Sequence, residues 1–146
     1  MSATPDTAGT FRLVYRSRSL VEPERRATEL GAIFLSARSN NKAQGITGAL
    51  LVTQDGFVQT LEGAESAVRA LYDRIEKDNR HDEVVVLDTR TVDGPVFSRW
   101  AMAEVSDGDK ADIPLIAERR RGVVPAAGHK TTPEADAVLD FMHENA

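Results

Sequence analysis

The sequence predicts an α+β fold of the ferredoxin-like kind. We expect a mixed five-stranded sheet in the order β-α-β-β-α-β-β, with two helices on one face and C-terminal helices after it. Three observations carry this expectation. Short stretches alternate apolar and polar residues with period two. Two longer stretches repeat apolar residues at helical spacing. Finally, Gln54-Asp55-Gly56 joins two alternating stretches directly, with the Asp-Gly signal of a hairpin.

Residues 1–10 read as a short flexible lead. Phe11 to Ser17 read as a strand, with Phe11, Leu13 and Tyr15 on one face. Pro23 suits the first turn of a helix, and Ala27, Leu30, Ile33, Phe34 and Ala37 give residues 23–38 one apolar stripe. Asn40-Asn41 then serves as its stop signal. Ile46 to Thr53 and Phe57 to Glu62 read as the two arms of the hairpin. Ala64 to Asp78 form a second helix with Val68, Leu71 and Ile75 on its apolar side. The apolar run from Val84 to Leu87 reads as a buried strand. Phe97 to Val105 read as the fifth strand, with Trp100 and Met102 on one face. Ile113 to Arg121 predict a short helix, Gly122 to Pro133 a linker, and Glu134 to His143 a last helix with Ala135, Val138, Leu139 and Met142 inward. The chain divides into the lead, a domain over residues 11–105 and a helical extension over residues 106–146.

Composition narrows the function classes. The 146 residues are 41% hydrophobic, which supports one packed core. The net charge of −5 argues against a nucleic-acid partner, which would need a basic face. Cysteine is absent, so disulfides, thiolate catalysis, Cys-ligated zinc and thiol-adduct photochemistry are excluded. No apolar run approaches a membrane span, and the polar beginning lacks an apolar signal core, so a soluble cytoplasmic protein is expected. His81, His129 and His143 are too scattered for a metal set.

The informative residues are polar groups in apolar rows. Gln59 shares a strand face with Phe57 and Leu61, so its amide points inward and needs partners. Tyr15 ends the row of Phe11 and Leu13, and its phenol needs a partner too. Asn41 sits between the first helix and the next strand. Each has an ordinary structural use: a core tyrosine bonded to backbone, a helix cap, an edge glutamine facing solvent. Together they form a polar cluster that a heteroaromatic ring with donors and acceptors on its edge would satisfy.

That joint pattern resembles the BLUF family, the blue-light sensors using FAD. The matching stretches are FRLVYRS (11–17), SARSNNKAQGITGALLV (36–52), GFVQTLEG (56–63), VRALYDRIEKDNRH (68–81) and FSRWAM (97–102). The resemblance implies that Tyr15 donates an electron and then a proton to the excited flavin, with Gln59 between Tyr15 and the flavin edge. It implies that Asn41 and Asn40 meet the pyrimidine part of the ring. Trp100 and Met102 match a pair that exchanges with light state. Arg74, Asp78 and His81 match positions near the ring and its ribityl arm, and Ile33 and Ile75 match the residues that sandwich the ring. The cofactor implied is FAD, with FMN or riboflavin also accepted. The chemistry suits these types, because an amide offers a donor at one end and an acceptor at the other. Rotating or tautomerising Gln59 therefore changes which atoms receive hydrogen bonds while the backbone stays put.

There is no Gly-x-Gly-x-x-Gly after a strand, so the flavin is not expected in a Rossmann crevice. No paired carboxylates or nucleophile–base pair suggest an enzyme. Two other readings use the same plan: a small acylphosphatase-like enzyme, for which Gly45-Ile46-Thr47-Gly48 gives a poor phosphate cradle, and a light-blind oligomerising adaptor. For a sensor, the expected output runs through the last strand and C-terminal helices, packed on the free sheet face, to a separate downstream protein. A homo-oligomer is expected, and Glu118-Arg119-Arg120-Arg121 reads as a solvated helix end.

Overall fold

The computed structural model describes residues 9–20, 22–52, 56–78, 81–98, 100–106, 113–114 and 133–146, with side chains for all of these except 23, 26–34, 104, 106 and 113–114. The elements are β1 (Thr10–Ser19), α1 (Pro23–Gln44), β2 (Thr47–Val52), β3 (Gly56–Gly63), α2 (Glu65–Glu76), β4 (His81–Val92), β5 (Ala103–Ser106), β6 (Ile113–Pro114) and α3 (Pro133–Glu144). Most of the expected lead, the turn residues 53–55, the basic cluster at 118–121 and the linker up to residue 132 lie outside the described residues.

Four longer strands form an antiparallel sheet in the order β4-β1-β3-β2. The short β5 adds to β2, and the two-residue β6 adds to β5, both in parallel. The ferredoxin-like α+β plan stands, but the count of five strands does not. Ile113 and Pro114 pair with Val105 and Ser106 as β6, so the expected helix does not begin at Ile113.

Alternation along the strands makes two cores. On one face Phe11, Leu13, Tyr15, Leu50, Phe57, Leu61 and Met102 pack with Val68, and Leu71, Tyr72 and Ile75 of α2 and Ala37 of α1 close over them. On the other face Val14, Leu51, Val58, Phe97 and Val105 pack with Ala135, Val138, Leu139 and Met142 of α3. The C-terminal helix thus covers the apolar sheet face that α1 and α2 leave bare, and its inward stripe is the expected one.

Three sequence expectations change. Helix α1 runs past Asn40-Asn41 to Gln44 and stops at Gly45, whose φ of 70° is left-handed. Glycine adopts that conformation without the Cβ penalty asparagine would carry, so Gly45 makes the better stop. Secondly, β4 is an edge strand, which is why Val85 and Val86 are 43% and 42% exposed and the run is not buried. Finally, residues 97–98 and 100–102 are not strand; β5 begins only at Ala103, opposite Ala49. Without the pleat, Trp100 and Met102 part company. Met102 joins the core under α1 and α2, while Trp100 packs against the core under α3.

Candidate functional site

Between the sheet and helices α1 and α2 lies a cavity of about 310 Å³. It falls at the small end of the range for small-molecule sites, about 300–1,000 Å³. Strands β1 and β3 supply its floor through Tyr15, Phe57 and Gln59, and β2 adds Leu50. The last turns of α1 give Ser36, Ala37, Asn40 and Asn41. Leu71, Arg74, Ile75 and, just beyond the helix end, Asp78 come from the α2 side, and His81 from the start of β4.

The floor holds a chain of hydrogen bonds. Tyr15 and Gln59 face each other across β1 and β3 in direct register. The Tyr15 hydroxyl donates to Gln59 Oε1 in a short contact. Gln59 Nε2 in turn donates to Met102 Sδ at 3.3 Å. All three side chains are buried. Burial pushes the Tyr15 phenol well above its ordinary pKa, with Tyr72 and Asp78 adding in the same direction. The hydroxyl therefore keeps its proton and acts as the donor. Tyr72 also meets the Tyr15 ring edge-on, with centroids 5.6 Å apart.

The rim is polar. Asn41 is buried and its Nδ2 donates to the Ala101 carbonyl at 2.9 Å, which leaves its Oδ1 as an acceptor. Asn40 Nδ2 donates to Ser36 Oγ at 3.4 Å, one turn back on α1. His81 Nε2 lies 2.6 Å from the Ile75 carbonyl, so that nitrogen carries the proton, and Nδ1 lies 2.9 Å from Ser17 Oγ. His81 thereby ties the end of α2 to β1.

Of the residues the sequence singled out for a cofactor, Tyr15, Asn40, Asn41, Gln59, Arg74, Ile75, Asp78 and His81 all line this one cavity. Ile33 lies on α1, and its side chain is outside the described residues. Met102 is beside Gln59, and Trp100 is on the other side of the sheet.

The sequence reading missed several contributors. Arg38 Nε donates to the Met102 carbonyl at 3.0 Å. Its spacing of three residues from Asn41 puts both on one side of α1, which was the available signal. Glu62 is fully buried on β3. Its carboxylate accepts from Thr47 Oγ1 at 3.0 Å, Val96 N–H at 2.8 Å and Phe97 N–H at 3.0 Å. Arg12 Nε lies 3.7 Å away as its counter-charge. A carboxylate next to Leu61 in a buried strand was a visible anomaly. Leu50, Phe57 and Leu71, apolar walls of the cavity, looked like ordinary core.

A floor of aligned polar groups under apolar walls fits a flat heteroaromatic ring. The family described as sensors of blue light using FAD matches residues 10–103. This chain belongs to that family. The BLUF proteins are photoreceptors and flavoproteins, and FAD is the cofactor they use. The chain is 38% identical over 119 residues to photoactivated adenylate cyclase subunit beta of Euglena gracilis, a match covering 81% of this chain but only 14% of that one. It therefore spans about a seventh of that relative. The dark-state structure of the BLUF protein BlrB is similar with a TM-score of 0.62 and 35% identity, over 66% of this chain and 72% of that one. Klebsiella pneumoniae BlrP1 with FMN and cyclic diGMP is similar with a TM-score of 0.68 and 27% identity, over 91% of this chain and 33% of that one. These matches favour neither the acylphosphatase-like enzyme nor the light-blind adaptor. No helix among the described residues is long and apolar enough to cross a membrane.

Proposed function

We propose that this BLUF chain senses blue light by rearranging the hydrogen bonds of Gln59, and that the Tyr15–Gln59–Met102 chain on the cavity floor is the working part. That hydrogen-bonded chain is the single observation on which the reading rests. FAD, when bound, supplies the absorption of blue light and an excited state that accepts an electron.

The protein's own residues supply the rest. Tyr15 is buried, neutral and already aligned on Gln59, so an electron and a proton can leave it together. Gln59 has one amide end against a donor and the other against a weak sulfur acceptor. Reversing or tautomerising the amide exchanges donor and acceptor along the cavity floor, and that exchange stores the light signal. Asn41 and Asn40 would hold the polar edge of the ring, Ile75 would cover one of its faces, and Arg74, Asp78 and His81 would hold the ring margin and the arm leading out. The cavity volume suits the ring alone, which supports acceptance of FMN or riboflavin as well as FAD.

The output passes through Met102 and Trp100 into β5 and on to α3. Thr60, the neighbour of Gln59 on β3, supports a second contact with α3, since its Oγ1 donates to Met142 Sδ at 3.1 Å. In this reading residues 11–105 are the flavin-binding unit and residues 106–146 the extension that carries the signal to a downstream protein. The chain works without enzymatic chemistry of its own, in the cytoplasm and as a homo-oligomer.

Two substitutions test the mechanism. Gln59→Leu and Tyr15→Phe should each keep the yellow flavin and lose the light-induced red shift of its absorption. A normal photocycle in either variant would refute it. Trp100→Ala should change the recovery rate and leave the shift in place.

A further inference from the structure

The segment that carries Met102 is not in the sheet, yet it is fastened at every residue from 100 to 102. The Trp100 carbonyl accepts from the Gly48 N–H at 3.2 Å. The Ala101 carbonyl accepts from Asn41 Nδ2 at 2.9 Å, and the Met102 carbonyl from Arg38 Nε at 3.0 Å. Upstream, the buried Glu62 carboxylate takes the Val96 and Phe97 N–H groups. Only one of these fasteners holds Met102 itself, and it is Arg38.

This matters because of what the Met102 sulfur does. A thioether accepts hydrogen bonds weakly and donates none. It therefore selects the amide nitrogen of Gln59 and leaves the amide oxygen for Tyr15. With the amide reversed, Gln59 Oε1 would face the sulfur with no proton between them, and the Met102 contact would be lost. The selection works only while the sulfur stays in place. Methionine has three rotatable bonds and fills many positions, so a fixed sulfur requires a fixed backbone. A charge-assisted hydrogen bond from a guanidinium is among the stronger means of fixing a carbonyl.

We propose that Arg38 is a positioning residue of the photocycle: by holding the Met102 carbonyl it keeps the Met102 sulfur against the Gln59 amide and so favours the dark orientation of that amide. The proposal rests on the reading of Gln59 as the switch. Reversion after light must restore the Gln59–Met102 contact, so a loosened Met102 slows it.

The test uses the full chain. In the FAD-loaded protein, Arg38→Met should slow dark recovery by about three- to tenfold, the range expected from losing one ordinary hydrogen bond. Arg38→Lys should bring the rate back toward wild type. In a Met102→Leu background, Arg38→Met should add no further change, because there is no sulfur left to position. A second readout needs no flavin. The chain has three methionines, so 13C-methyl labelling gives few signals, and Met102→Leu identifies the one of interest. That signal should move in flavin-free Arg38→Leu, which adds no methionine, and return in Arg38→Lys. Recovery at the wild-type rate in Arg38→Met, or equal slowing with and without the Met102 sulfur, would overturn the proposal and leave the role of Gln59 standing. A red shift that persists in Gln59→Leu would remove the switch itself, and the proposal with it.

Discussion

At the residue scale, Tyr15 and Glu62 show how burial sets behaviour. The Tyr15 phenol is held above its ordinary pKa of 10.0, first by desolvation and then by the charges of Tyr72 and Asp78. Above pH 10 an unfolded chain releases this proton while the folded chain keeps it. The unfolded state then gains, so the contribution is whole below the unfolded pKa and shrinks as pH rises beyond it. We expect unfolding free energy to fall above about pH 10, and to fall less steeply in Tyr15→Phe. Denaturant titrations of both proteins across that range check it. Tyr72, also raised by burial and by Glu76 and Asp73, leaves part of the slope in the variant. Glu62 has a different role. Its two oxygens accept two backbone N–H groups and a hydroxyl in a buried place. Glu62→Gln turns one acceptor into a donor facing a donor, and should cost about 1–3 kcal/mol of stability, measurable by chemical unfolding.

At the element scale, the pairing of β1 with β3 does most to build the site. Its register sets Tyr15 opposite Gln59, and alternation sends both to the side of α1 and α2. That was legible in the sequence, because Phe11, Leu13 and Tyr15 on one strand and Phe57, Gln59 and Leu61 on the other are period-two rows with one polar member each. The stretch from Phe97 to Met102 was not legible. It has the apolar content of a strand, but Glu62, Asn41 and Arg38 take its backbone groups, and all three lie far away in sequence. Edge placement of β4 was hidden for a related reason, since a run of valines reads the same at the edge or the centre of a sheet. Helix α3 was legible from its stripe. Its Leu139 is fully buried against the sheet, so Leu139→Ala should cost about 2–5 kcal/mol. The expected loss is read from the unfolding midpoint, with the cavity under α1 and α2 unaffected and flavin retained.

At the scale of the whole molecule, the sheet is a partition, and the proposed function puts light sensing on one side of it and output on the other. The candidate cavity lies under α1 and α2, and α3 covers the opposite face. Strand β3 touches both, through Gln59 on one face and Thr60 on the other. The segment from Trp100 to Met102 also reaches both cores, one residue on each side. A change in the Gln59 hydrogen bonds therefore has two short routes across the partition. The most direct test is the light-minus-dark absorption spectrum of the FAD-loaded chain, recorded for wild type and Gln59→Leu. The account predicts a reversible red shift in wild type and none in Gln59→Leu at equal flavin content. An unshifted wild-type spectrum, or the same shift in both proteins, would contradict it.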